Sequence, residues 1–193
     1  QLNGYLYFND WSDIQIARNT DDSLFLFVDN AAEAEVLGGE VELLAQPSPE
    51  LTLMLNAAIT RAEFTSDLVQ GGVVVVADGN EIPFVPDFSL GASVNYIRPL
   101  ANGLDGVFSA NYAHRSSTYS NATNSPLEEN DSYNQLGLRA GVEGRNWGLY
   151  ARVTNALDEE DTTFKVNPVL GFPVTYSTYV RPRTYGLEVR WRF

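Results

Sequence analysis

The sequence predicts an all-β fold, an antiparallel transmembrane β-barrel of about eight strands. Apolar and polar residues alternate with a period of two along most of the 193-residue chain. The connections between the alternating segments are short and long in turn, and aromatic residues recur near the ends of these segments. This combination is typical of strands that turn one face to lipid and the other to a polar lumen.

The predicted strands are separated by segments rich in Pro, Gly, Asn and acidic residues, which favour turns. Their expected bounds are 2–18, 24–46, 51–66, 88–99, 104–120, 132–144, 147–163 and 181–193. Two of them are less regular than the rest. The alternation slips near Asp10 before Ile14, and the Gly38 and Gly39 pair interrupts it in the second strand. Glycine inside a strand commonly marks a bulge, so we expect one at each irregularity.

The last strand shows the alternation most clearly, with its apolar residues on one face and Gly, Glu and Arg on the other. Extending this pattern gives a predicted lipid-facing set of Leu90, Val94, Leu138, Val142, Leu149, Val153, Leu187 and Val189. The predicted lumen-facing set is Ser93, Asn95, Arg139, Glu143, Arg152, Glu188 and Arg190. Aromatic residues near strand ends match the interfacial girdles of membrane barrels; they are Tyr96, Tyr112, Trp147, Tyr185 and Trp191.

The lengths of the connections indicate an outer-membrane barrel. Short turns follow the second, fourth and sixth strands, at residues 47–50, around 101–103, and at 145–146. Long polar or Pro/Gly-rich loops follow the third, fifth and seventh strands. Bacterial outer-membrane barrels have short periplasmic turns and long extracellular loops. The connections therefore favour the outer membrane of a Gram-negative bacterium.

Composition excludes several other classes. The net charge of −13, with Lys165 as the single lysine, argues against nucleic acid as a partner. The absence of cysteine excludes disulfides, thiolate metal sites and thiol nucleophiles. No 18-residue apolar run predicts a transmembrane helix, and no signal peptide is visible after Gln1. More than half of the acidic residues lie in predicted loops, where they are interpreted as a solvated surface.

The C-terminal strand ends in an aromatic residue, and its apolar face is predicted to be an assembly signal. The residues of this signal are Tyr185, Leu187, Val189, Trp191 and Phe193. Such an ending resembles the segment that outer-membrane proteins present to the barrel-assembly machinery. Addition of an unpaired last strand to an open sheet edge gives the resemblance a physical basis, since alternate side chains fill alternate pockets.

Several segments resemble the TonB-dependent outer-membrane receptors, in the order of that family and over nearly the whole chain. The Pro182-Arg183 step before the last strand is similar to the family's ending. Residues 155–161 (Asn-Ala-Leu-Asp-Glu-Glu-Asp) resemble its Asn-Leu-Phe-Asp-x-x-Tyr box, with Ala, Leu and Asp in place of Leu, Phe and Tyr. Residues 30–36 followed by 39–42 resemble its Asn-Ala-Gly-x-Ala segment and Gly-x-Glu, and Asp10-Trp11 fits the strand before it.

The resemblance implies that residues 1–193 are the C-terminal portion of a 22-stranded barrel. It also implies a plug domain and a TonB box upstream, and neither is visible in this chain. The chain is then expected to be a fragment, a truncated product or one piece of a split gene. The implied function is TonB-dependent uptake of a scarce nutrient, such as a ferric siderophore, with the ligand bound by extracellular loops and lumen residues. Outer-membrane lipid, the assembly machinery and TonB are the implied partners.

Catalytic and cofactor sites are not predicted. His114, the single histidine, has no recognisable nucleophile or acid partner in the pattern of a hydrolytic triad. The acidic run at 158–161 is compatible with a hard cation, although a solvated strand tip explains it more simply. Gly71 and Gly72 are followed by four valines, which indicates a loop with a short strand rather than a phosphate-binding turn. We expect no enzymatic activity and no cofactor.

Two other functions remain open at this point. Eight strands can close on themselves, so a self-contained outer-membrane barrel with a structural or adhesive role is the first alternative. The second alternative is a soluble ligand-binding barrel, whose apolar faces would point inward. A plug domain encoded upstream would exclude the first alternative, and solubility without detergent would favour the second.

Overall fold

Eight long antiparallel strands form a single sheet in the computed structural model, which describes residues 1–19, 26–166 and 176–193. Numbered in chain order, they are β1 (Leu2–Asn19), β2 (Leu26–Ser48), β3 (Leu51–Phe64), β6 (Phe88–Pro99), β7 (Asp105–Arg115), β10 (Tyr133–Glu143), β11 (Trp147–Thr154) and β14 (Thr184–Trp191). Each strand pairs with the next long strand along the chain. No pairing joins β1 to β14 among the described residues, so the sheet is open, as expected for part of a larger wall.

The six remaining strands form three small hairpins in the long connections. They are β4 (Leu68–Gln70) with β5 (Val73–Val76), β8 (Thr118–Tyr119) with β9 (Glu129–Asn130), and β12 (Thr162–Val166) with β13 (Tyr176–Tyr179). The three hairpins lie at one end of the sheet, and the short turns lie at the other. In the described part of the chain, no helix is long and apolar enough to cross a membrane.

Two predicted strands are too long. The seventh was expected over 147–163 but ends at Thr154, because Asn155 adopts a left-handed conformation (φ 49°) and starts a turn. The fifth was expected over 104–120 but ends at Arg115, after which Thr118–Tyr119 pair with β9 instead of the sheet. The last strand begins at Thr184 because Pro182, shortly before it, cannot donate a ladder hydrogen bond. Residues 24 and 25, predicted to begin the second strand, lie outside the described residues.

One of the two expected bulges is present. The register of β1 against β2 shifts on both sides of Ile14, close to Asp13 with φ 58°. The bulge expected at the glycine pair is wrong, since Gly38 and Gly39 stay in continuous register with both neighbouring strands. A Cβ on Gly38 would lie 2.6 Å from Cε2 of Tyr7. Glycine is therefore needed there so that the Tyr7 ring can lie flat on the sheet.

The register confirms that the two predicted sets of residues lie on opposite faces. Leu138 is opposite Ala110 and Val153, and Val142 is opposite Leu149, which is opposite Val189. The face that holds these residues is largely uncovered: the exposed fraction is 91% for Leu6 and 81% for Leu187. The five predicted girdle aromatics lie on the same face. A continuous exposed apolar surface of this kind needs lipid or another apolar partner to cover it.

The packed apolar core is small and lies at the long-loop end. It contains Ala32, Ala34, Phe64, Leu68, Val76 and Ala122, with Ile14, Ile16, Val75 and Ile82 against it. These residues come from the ends of the first three strands and from two of the long connections. The loops are therefore packed onto the wall, whereas no layer formed by the described residues covers either face in the middle of the sheet.

Candidate functional site

Charged side chains surround Tyr150 on the polar face of the sheet. The guanidinium carbon of Arg139 lies 3.3 Å from the centroid of the Tyr150 ring, and that of Arg190 lies 5.6 Å away. The Tyr150 hydroxyl donates a hydrogen bond to the Glu143 carboxylate. Glu188 accepts an ion pair from Arg139 at 3.4 Å and another from Arg190 at 2.9 Å. Predicted lumen residues are thus brought together in one cluster, in which the charges compensate one another.

Glycines allow these long side chains to lie flat on the sheet. Tyr150 is 1% exposed although no second layer covers it. Its ring occupies the space that a Cβ on Gly141 or Gly148 would need, and a Cβ on Gly148 would lie 2.5 Å from the hydroxyl. Arg152 lies over Gly186 in the same way, with its Nε 2.8 Å from the Cβ position. The side chains of the polar face therefore lie along the sheet and do not project far from it.

The long connections form a second structure, here called the loop layer, which comprises residues 65–87, 116–132, 155–166 and 176–183. Its first two segments are joined by reciprocal hydrogen bonds. The Glu81 amide donates to Oδ1 of Asn124 at 2.6 Å, and Nδ2 of Asn124 donates to the Glu81 carbonyl at 3.0 Å. Nδ2 of Asn80 donates to the Ala122 carbonyl at 2.8 Å. These bonds fix the two segments to each other through side chains.

Asn130 joins the second and third segments of the loop layer and is fully buried. Its Oδ1 accepts from the Lys165 amide at 2.8 Å and from the Ser120 hydroxyl at 3.0 Å. Its Nδ2 donates to the Thr118 hydroxyl at 3.2 Å. Buried polar groups are costly unless they are hydrogen-bonded, and here a single amide satisfies three partners. Sequence reasoning missed Asn130 because an asparagine in a polar loop carries no periodic signal.

Asp131, next to Asn130, links the same two segments electrostatically. Its carboxylate accepts from the hydroxyl and the amide of Thr162, and it pairs with Nζ of Lys165 at 3.3 Å. The Thr162 hydroxyl is the main reason that the pKa of Asp131 lies below its ordinary value, and Lys165 lowers the pKa further. The folded loop layer therefore favours the ionised carboxylate.

The two C-terminal motif segments meet in space. The Asn155 side chain donates to the carbonyls of Glu159 at 2.8 Å and of Arg181 at 2.9 Å, and it accepts from the Glu159 amide at 3.0 Å. Arg183 makes an ion pair with Asp158. The Ala156 carbonyl also accepts from Arg183 at 3.5 Å, but the side chains that differ from the box, those of Ala156, Leu157 and Asp161, take no part in these bonds. The retained Asn and Asp therefore explain why the partial motif still forms its turn.

His114 and the acidic run at 158–161, the remaining candidates from the sequence, make contacts within the fold. Nδ1 of His114 is 2.9 Å from Oδ1 of Asn134, and its ring lies 5.6 Å from that of Phe88 on the apolar face. In the acidic run, a hydrogen bond between Glu159 and Asp161 raises the pKa of Asp161 and lowers that of Glu159. Among the described residues, no group of three His, Asp or Glu side chains is arranged to hold a metal ion.

Four of the predicted assembly residues lie on the exposed apolar face of β14, and Phe193 follows two positions after the end of that strand. The exposed fraction is 77% for Tyr185, 74% for Val189 and 59% for Trp191, and Phe193 is fully exposed. β14 pairs with β11 on one side, and its other edge has no partner strand among the described residues. The strand thus combines an unpaired edge with a row of apolar side chains.

An open meander, a polar inner face and a loop layer at one end are features of a large outer-membrane receptor barrel. A family model described as TonB dependent receptor-like, beta-barrel matches residues 1–156. The chain belongs to this family of TonB-dependent receptor barrels. Members of the family reside in the outer membrane of Gram-negative bacteria, which places the chain in that membrane.

Solved receptors share this fold. The chain is similar to the ferric yersiniabactin uptake receptor FyuA from Yersinia pestis, with a TM-score of 0.79 and 22% identity over 100% of the chain and 27% of the receptor. For the siderophore receptor PiuA from Acinetobacter baumannii the TM-score is 0.72 at 17% identity, over 98% of the chain and 26% of the receptor. For the ferric preacinetobactin receptor BauA from the same species it is 0.68 at 18% identity, with 98% and 26% covered. The chain thus spans about a quarter of each receptor.

Proposed function

We propose that the chain is part of an outer-membrane receptor for the TonB-dependent uptake of a scarce nutrient such as a ferric siderophore. The loop layer is the main support for this proposal. Its segments are fixed to one another by hydrogen bonds, and it lies at the end of a sheet whose polar side chains lie flat. A wall of this kind holds binding loops rigidly and borders a passage. The similar receptors are named for the uptake or binding of siderophores, which supports the same ligand class.

In this proposal the loop layer faces the outside of the cell and the short turns face the periplasm. The ligand binds the loops and the upper lumen. A plug domain encoded upstream closes the barrel and is moved by TonB. The role of this chain is then to bind and guide a ligand, and we infer that it has no catalytic function.

We also propose that Tyr185, Leu187, Val189, Trp191 and Phe193 are recognised by the barrel-assembly machinery. The unpaired edge of β14 supports this proposal, since an open strand edge can add to another sheet through main-chain hydrogen bonds. The exposed apolar side chains on alternate positions would supply the specificity.

Uptake by intact cells tests the proposed function. The gene is disrupted in its host, and the import of a panel of iron-55 siderophore complexes is measured under iron limitation, with and without a functional TonB. We expect the import of at least one complex to be lost on disruption, restored by complementation and lost again without TonB. Unchanged import of every complex would contradict the siderophore class, and import that persists without TonB would contradict the coupling mechanism.

A further inference from the structure

Two aromatic rings from different segments of the loop layer are stacked on each other and remain open to solvent. The Phe84 and Phe164 centroids are 6.1 Å apart, and their ring planes are inclined by 17°. The exposed fraction is 45% for Phe84 and 37% for Phe164. Aromatic rings in a protein are usually covered, since their burial is strongly favourable. The half-exposed pair therefore presents aromatic surface to solvent at the junction of two segments.

The backbone holds Phe84 in this position against its conformational preference. Its φ is 63°, in the left-handed region that bulky side chains rarely occupy. The Phe84 amide donates to the Tyr119 carbonyl at 3.0 Å, so the surrounding fold fixes this conformation. A glycine would meet the same backbone requirement without strain. Strained residues of this kind occur at sites where the side chain has a function.

Acidic residues flank Phe84 in the first segment of the loop layer, with Glu81 three positions before it and Asp87 three positions after it. Burial raises the pKa of Glu81, and the charges of Asp87, Glu129 and Glu63 raise it further. Glu129 pairs with Tyr119 across the β8–β9 hairpin, and the Tyr119 carbonyl accepts the hydrogen bond from the Phe84 amide. Lys165, which follows Phe164, is already paired with Asp131. The segments that hold Phe84 in place therefore contain several carboxylates.

Acidic residues also outnumber basic residues in the loop layer as a whole. Its acidic residues are Asp67, Asp78, Glu81, Asp87, Glu128, Glu129, Asp131, Asp158, Glu159, Glu160 and Asp161, and its basic residues are Lys165, Arg181 and Arg183. An anionic group approaching the rings would meet like charge. A neutral or cationic group would be attracted, and an aromatic face also attracts cations directly.

We propose that the Phe84 and Phe164 pair is a binding site for an aromatic ring of the imported ligand, and that this ligand has no net negative charge. This inference rests on the proposed uptake function, whose ligand class it narrows. The exposed ring faces provide stacking area, and the neighbouring carboxylates select the charge. The interlocking of the loop segments keeps the two rings in place before the ligand arrives.

Ligand binding to isolated outer-membrane vesicles that contain the protein tests the proposal. The probes are tryptamine, an indole with a cationic chain, and indole-3-acetate, the same ring with an anionic chain. Binding is followed by saturation-transfer NMR, with vesicles lacking the protein as the blank. The variants are Phe84→Gly, which removes one ring and relieves the strained φ, and Phe164→Leu, which keeps an apolar side chain of similar size. Leu127→Ala is the matched control, since Leu127 is an exposed apolar residue (61%) of the same layer outside the pair.

We expect tryptamine to bind and indole-3-acetate to give at least a fivefold smaller signal. Each aromatic variant should weaken tryptamine binding about three- to tenfold at equal amounts of assembled protein, and Leu127→Ala should leave it unchanged. The proposal would be overturned if tryptamine did not bind, if Phe84→Gly and Phe164→Leu bound it as well as the unchanged protein does, or if indole-3-acetate bound as well as tryptamine. The vesicle experiment measures binding and not import, so its outcome can be distinguished from that of the uptake experiment in cells.

Discussion

Asn130 is the residue on which the loop layer depends most, because it is fully buried and satisfies groups from three neighbours. Replacing it with alanine leaves the Lys165 amide and the Thr118 and Ser120 hydroxyls without this partner. We expect Asn130→Ala to destabilise the layer by about 1–3 kcal/mol. Amide hydrogen exchange should then accelerate in 116–132 and 162–166, while the wall strands keep their protection.

Thr123→Ala is the control for this prediction, since Thr123 is exposed and its hydroxyl bonds only to Asn121 within its own segment. Equal protection of the loops in Asn130→Ala and in the control would show that the asparagine does not hold the segments together.

Asp131 makes the stability of the loop layer depend on pH. Its pKa in the folded protein is lowered by the Thr162 hydroxyl and by Lys165. A carboxyl with a lowered folded pKa stabilises the fold above its ordinary pKa of about 4, and this contribution is lost as the pH falls through the lowered value. We expect exchange protection in 162–166 to decrease below about pH 4, and Asp131→Asn to lack that part of the decrease. If exchange protection in 162–166 changed with pH in the same way in the wild type and in Asp131→Asn, Asp131 would not be the source of the pH dependence.

At the residue scale, sequence alone predicted which side chains share the apolar face of the sheet and which share the polar face, because a period of two leaves each residue one choice of face. It did not predict Asn130, Asp131 or the Phe84 conformation. These residues act through contacts between segments that are distant in sequence. The glycine at 38 was also misinterpreted, since a glycine under a tyrosine ring and a glycine in a bulge look identical in sequence.

Strands β7 and β10 allow one residue on each face of the sheet to be compared at a similar depth in the membrane. Leu138 lies at the centre of β10 on the apolar face, opposite Ala110, and the adjacent Asn111 of β7 lies on the polar face. We expect Leu138→Arg to cost about 2–4 kcal/mol because it places a charge in the hydrocarbon, and Asn111→Arg to be tolerated in the polar lumen. The measurement is the fraction of heat-modifiable, folded protein in the outer membrane. Similar folded fractions for the two variants would reverse or abolish the assignment of faces.

Strand β14 carries the proposed assembly signal. We expect the double substitution Trp191→Ala and Phe193→Ala to reduce the amount of protein in the outer membrane several-fold, because two exposed anchors of the terminal strand are lost. Ligand affinity of the molecules that do assemble should be unchanged, since both residues lie far from the loop layer. The double variant Leu2→Ala and Leu6→Ala removes comparable exposed apolar groups from the opposite edge and serves as the control. Normal membrane levels of the Trp191 and Phe193 variant would exclude the signal.

At the element scale, the long alternating strands were predictable and the ends of two of them were not. Strand β11 ends where Asn155 adopts a positive φ and its side chain makes hydrogen bonds in place of the ladder. After the end of β7, the Ser116 hydroxyl accepts a hydrogen bond from the Phe88 amide. Sequence alternation continues past these points, so a pattern search extends the strand. The small hairpins of the loop layer are too short to show a period of their own.

At the scale of the whole sheet, the described strands form an open wall with one apolar face and one polar face, and within the described residues β1 and β14 each have an edge without a partner strand. Unpaired strand edges in hydrocarbon leave backbone groups unsatisfied at several kcal/mol each. The edges of β1 and β14 therefore require partner strands, which the remainder of a larger barrel would supply. The fold class could be predicted from the sequence because the alternation within the strands reflects a membrane environment. The ligand could not be predicted, because it depends on contacts between loops that are distant in sequence.

The orientation of this wall in the membrane is the central claim, and accessibility of single cysteines tests it most directly. The chain contains no cysteine, so one can be placed at Leu127 in the loop layer or at Asn102 in a short turn without a background. We predict that a membrane-impermeant maleimide labels Leu127→Cys in intact cells and labels Asn102→Cys only after the outer membrane is permeabilised. Labelling of Asn102→Cys but not of Leu127→Cys in intact cells would contradict the account.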